Sequence, residues 1–91
     1  MTQQCAQAWL SWLNDGHVAE VLAGGATTSQ VVRLDGEPNS FAVIYQFPSR
    51  EVFAAYERDH APRLRAEGLR RFPTDRGVRY RRSVGEVVGA F

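Results

Sequence analysis

Ser40-Phe41-Ala42-Val43-Ile44-Tyr45-Gln46-Phe47 reads as a β-strand. On an extended chain Phe41, Val43, Tyr45 and Phe47 fall on one face and Ala42, Ile44 and Gln46 on the other. Just upstream, Asp35-Gly36-Glu37-Pro38 has the composition of a turn, with glycine free to take positive φ. Upstream again, Thr27 to Leu34 is rich in β-branched residues, which suit a pleated, half-buried surface. Two such runs around one turn predict an antiparallel hairpin.

Both flanks of the hairpin read as helix. From about Gln3 to Leu22, Trp9, Leu13, His17 and Val21 recur every four residues with Leu10 and Leu22 beside them, interrupted by the weak patch Asn14-Asp15-Gly16. Gly24-Gly25 supplies a C-cap. After Pro48, Ser49 is an N-cap and Glu51 complements the helix dipole. Val52, Phe53, Tyr56, His60, Leu64 and Phe72 form the stripe that this second helix buries. Pro62 ends the helix near Asp59–His60 and restarts it. A last strand is predicted over Val78 to Val88. The chain thus reads as one α+β domain over residues 1–91, in the order α-β-β-α-β, with an antiparallel sheet and the helices on one face.

Composition narrows the function. At 91 residues the core is thin, and a partner subunit would add to it. Charges interrupt every apolar run, so no membrane span is expected. The start, Met1 to Trp9, lacks the basic and apolar blocks of a secretory signal, and a cytoplasmic location is expected. The single cysteine, Cys5, gives neither a disulfide nor a cysteine cluster. All eleven basic residues are arginine, and they are unevenly placed. Residues 1–57 hold two arginines against six acids, a net of −4, and residues 58–91 nine against four, a net of +5. A basic half suits the acidic half of a second copy or an anionic ligand.

His60 is the first candidate for chemistry. It stands one turn after Tyr56 and one before Leu64, a position from which a histidine serves as general base or ligand. The structural alternative is that it caps the carbonyl freed by Pro62. His17 holds an analogous place in the first helix, but two histidines without paired carboxylates make no metal spacing, and neither metal nor cofactor is expected. Tyr45 and Tyr56 can offer hydroxyls to a ligand or fill the core. Trp9 belongs to the core stripe, and Trp12, at its edge, suits a dimer contact. Arg65, Arg79, Arg81 and Arg82 can clamp a carboxylate or phosphate; the alternative is surface ion pairing, such as Glu67 with Arg70 or Arg71. Tyr80 among these arginines is the sole hint of nucleic-acid binding through Arg79 to Arg82.

Tyr56-Glu57-Arg58-Asp59-His60-Ala61-Pro62-Arg63-Leu64-Arg65, Phe72 and the arginine-rich last strand resemble the second half of an uncharacterised ferredoxin-like family in the dimeric α+β barrel superfamily. Trp9-Leu10 followed by His17-Val18-Ala19-Glu20-Val21-Leu22 resembles its first helix. The resemblance implies a homodimer, similar to monooxygenase-like, dismutase-like and stress-protein barrels, and carries no established reaction. Such domains open with a strand inside the sheet, whereas Met1 to Ala8 is a poor strand. Three resolutions exist: a start farther upstream, a last strand that pairs with the hairpin, or a strand lent by a partner as in domain swapping. A shared dimer sheet is the expectation. The favoured function is therefore a ligand-binding or interaction module. The alternative is a cofactor-free enzyme with His60 as base, Tyr56 beside it and Arg65 on an anionic oxygen, with nucleic-acid binding behind both.

Overall fold

A computed structural model describes residues 1–91, the side chain of Arg76 aside. The chain forms α1 (Gln3–Trp12), α2 (Val18–Ala23), β1 (Thr28–Arg33), β2 (Phe41–Gln46), α3 (Arg50–Asp59) and α4 (Ala61–Arg71), followed by a short 3-10 turn over Thr74–Arg76. It is an α+β fold with one two-stranded antiparallel sheet.

The helix starts are set by hydroxyl caps. Thr2 Oγ1 accepts from the Cys5 N–H at 3.1 Å, and Ser49 Oγ from the Val52 N–H at 3.2 Å. Asn14-Asp15-Gly16 splits the first helical stretch as its composition predicts. A kink within Leu13–His17, with Gly16 off helical geometry and one wide bond from the Val18 N–H to the Leu13 carbonyl, joins α1 to α2. At the other break, His60 leaves helical geometry, Pro62 lies in the first turn of α4, and Ala61 is fully buried.

The hairpin pairs Val31 with Val43 and Arg33 with Phe41. Leu34 donates to the Ser40 carbonyl at 2.9 Å. Antiparallel alternation from that bond turns the amides of Ala42, Ile44 and Gln46 toward β1 and those of Phe41, Val43 and Tyr45 toward the open edge of β2. All helical packing lies on the face that carries Phe41 and Tyr45. The core joins Val21, Ala26, Tyr56, Ala61 and Leu64, with Tyr45, Phe47 and Phe53 against them. On the opposite face Val32 and Ile44 are exposed.

Gly24-Gly25 does more than end α2. A Cβ on Gly24 would stand 2.9 Å from Tyr56 Cδ1, and one on Gly25 would stand 2.7 Å from Val52 Cγ1. Gly25 also has φ of 127°. The pair lets α3 lie directly on the end of α2.

The expected last strand over Val78 to Val88 is a correction. Residues 78–91 carry no regular secondary structure. Among the described residues they make no backbone–backbone hydrogen bond. A strand exists only through a neighbour, and both places beside the hairpin are empty. Side chains hold the segment instead. Val78 is buried, the Tyr80 hydroxyl donates to the Phe72 carbonyl at 2.8 Å, Arg82 meets Glu57, and Glu86 meets Arg50.

Candidate functional site

Helix α3 delivers Tyr56 and His60 to the end of α2, one turn apart on one face. Their rings lie nearly parallel, 17° between planes and 6.3 Å between centroids. The His60 ring also borders Gly24. Its side chain makes no capping hydrogen bond, so it does not satisfy the carbonyl that Pro62 frees. Tyr56 packs 5.0 Å from Phe47, and Tyr45 borders the same cluster. Burial pushes the Tyr45 hydroxyl up to about 12, with the neighbouring Tyr56 adding to the rise. Burial also raises Tyr56, opposed by the charge of Arg65. Both hydroxyls are therefore neutral donors at physiological pH, suited to hold an oxygen and not to abstract a proton.

Arg65 is not free. It donates to both carboxylate oxygens of Glu57, at 2.6 and 2.8 Å, and Arg82 reaches the same carboxylate at 3.1 Å. Both Arg65 bonds come from one nitrogen, Nη2, so the acidic side chain offsets the charge that would receive an anionic oxygen without taking up the whole N–H edge. The cleft between α1 and the hairpin end and the cleft along Thr28–Gln30 are lined by none of His60, Tyr56 and Arg65.

The histidines do not converge. His17 stacks on Trp12 at 4.2 Å, and Trp12 in turn meets Phe72 at 5.6 Å and covers Gly68. Burial lowers the pKa of His17, while Glu20 and Glu67 oppose the shift. Among the described residues no three histidine, cysteine or carboxylate side chains gather as a metal site. Trp9 belongs to the inner face, 5.3 Å from Phe41. Trp12 is engaged within the protomer, by His17 and Phe72.

Arg79 and Arg81 are exposed, and among the described residues no ion pair is formed by either. Tyr80 between them is tied to the Phe72 carbonyl and Arg82 to Glu57, so two members of the basic run face the protein. Glu67 pairs with Arg71 at 3.5 Å, one of the two partners its spacing offered.

Sequence reading passed over Glu57, because its partners stand eight and twenty-five residues away and no periodicity joins them. It also passed over the edge of β2. Phe41–Gln46 holds no charge, no proline and no bulge, the devices by which edge strands avoid pairing. That signal was present in the strand's composition.

Among the described residues no helix is long and apolar enough to cross a membrane. A family model, described as a domain of unknown function (DUF4286), matches residues 1–87. No curated protein and no solved structure matches the chain.

Proposed function

The chain belongs to this family of unknown function, and we propose that it is a ferredoxin-like interaction module that works as a homodimer, its sheet completed by a second copy. The observation that carries this reading is the open, unguarded edge of β2. The amides and carbonyls of Phe41, Val43 and Tyr45 face outward there, and burial against another strand is the ordinary remedy. A two-stranded hairpin is marginal on its own.

Two further features support a twin as the occupant. Val32 and Ile44 expose an apolar strip on the outer face of the sheet, continuous with that edge. The acidic first 57 residues and the basic remainder let two copies meet with opposite charge in register. An antiparallel β2–β2 junction is self-complementary, as two-fold symmetry requires.

Size-exclusion chromatography with light scattering tests the reading. The chain is expected to elute as a dimer at micromolar concentration. Ile44→Lys, which places a charge on a side chain already half exposed, should give a folded monomer. A wild-type monomer at that concentration overturns the proposal, and so does an unchanged dimer in the variant.

A further inference from the structure

The hairpin end and the first two turns of α1 enclose a cleft of about 110 Å³. A single water needs only ~10–15 Å³. Its floor is apolar: Ala6 is buried, and Leu10 and Phe41 are partly so. Its rim is polar, with the side chains of Gln3, Gln7, Asn39 and Arg33. Gln3 and Gln7 stand one helical turn apart, so their amides face the same opening.

Arg33 decides what such a cleft would take. Its guanidinium lies over the Phe41 ring, 4.9 Å from the centroid. A guanidinium held over a ring in this way makes a cation–π contact and can still offer N–H groups to a planar acceptor. Among the described residues no ion pair involves Arg33, although Asp35 and Glu37 follow in the adjoining loop. Arg65, by contrast, already donates to Glu57 through Nη2. Phe41 is fixed from behind by Trp9 at 5.3 Å. Asn39, at a φ of 57°, donates to the Met1 carbonyl at 3.2 Å and ties the hairpin loop to the start of α1. The walls are therefore held before any ligand arrives.

We propose that this cleft binds a small organic monocarboxylate: Arg33 grips the carboxylate edge-on, the Gln3 and Gln7 amides donate to it, and Ala6, Leu10 and Phe41 receive its short apolar body. The site lies on the helix-packed side of the sheet and shares only Phe41 with the edge strand, so a change at Arg33 leaves the open edge of β2 untouched.

The test is a titration of the full chain with butyrate, followed by backbone amide NMR shifts and by Trp9 fluorescence, with chloride matched throughout. Saturable millimolar binding is expected, with the largest shifts at Gln7, Leu34 and Asn39. Arg33→Gln, a change at an exposed side chain, should weaken it by at least about tenfold, the loss of one charged hydrogen-bonded pair. Butyramide should bind no better than that variant. Absence of saturation in the wild-type chain overturns the proposal, as does equal binding in the variant or an equal response to chloride. Arg33→Gln should elute from size exclusion as the wild type does, which separates failure of this site from failure of the dimer.

Discussion

Arg65 and Glu57 lie eight residues apart, across the break at His60, and meet through two hydrogen bonds of 2.6 and 2.8 Å. The pair bridges α3 and α4, and Arg82 joins it from the C-terminal segment. A single carboxylate therefore fastens three parts of the chain.

Glu57→Gln should release both arginines at little structural cost. The guanidiniums are about half exposed, so solvent screening limits the loss to about 1 kcal/mol. Urea unfolding measures this, and the difference from wild type should shrink at high salt. Two unpaired arginines should also lengthen retention on a heparin column. A loss well above that figure would mean that the carboxylate also supports the core.

Gly24→Ala should destabilise the protein. Gly24 has ordinary helical geometry, φ −78°, so replacing it by alanine would normally add about 0.4–1 kcal/mol. Here the new Cβ meets Tyr56 at 2.9 Å and His60 at 3.2 Å. Overpacking of this kind costs about 1–3 kcal/mol, and each kcal/mol moves the melting temperature of a domain this size by roughly 4–8 °C. A raised melting temperature would show that α3 does not rest on Gly24 as described.

His17 should make stability depend on pH. Its folded pKa lies below the ordinary 6.5 because burial beside Trp12 disfavours the charged ring, against the pull of Glu20 and Glu67. The unfolded chain then binds the proton more readily, so stability rises with pH through this window. The contribution is complete above 6.5 and is lost as pH falls from there through the folded value. Chemical denaturation between pH 7 and pH 5 should show the slope, and His17→Phe should remove it. An identical slope in that variant would assign it to the carboxylates.

The hairpin was legible because its signals are local. Phe41, Val43 and Tyr45 alternate with Ala42 and Ile44, and Gly36 marks the loop; the strands fall within a residue or so of their expected ends. The caps at Ser49 and the break at Pro62 are equally local. What was not legible depends on neighbours. Val78 to Val88 has strand composition, yet composition cannot supply the strand beside it. Gly24-Gly25 reads as a helix end, while its second duty, admitting Tyr56 and Val52, is set by packing across thirty residues. His60 offered itself as a cap from its place beside Pro62, but its ring found Tyr56 and Gly24 instead. Of the residues singled out for chemistry, Tyr56 and His60 do adjoin; Arg65 was hidden by Glu57, and Arg33 drew no notice because nothing periodic surrounds it.

The kink within Leu13–His17 keeps the first half of the chain in phase. Leu13 and Val21, 2 % and 1 % exposed, are eight residues apart. On an uninterrupted helix eight steps of ~100° leave two side chains ~80° out of line. The kink at Gly16, φ 158°, ends one helix axis and starts another, so Leu13 and Val21 each reach the core from their own helix. Straightening the kink into one continuous helix would restore that offset and swing Val21 off the core. The kink is thus what lets a four-residue repeat serve helices that turn every 3.6.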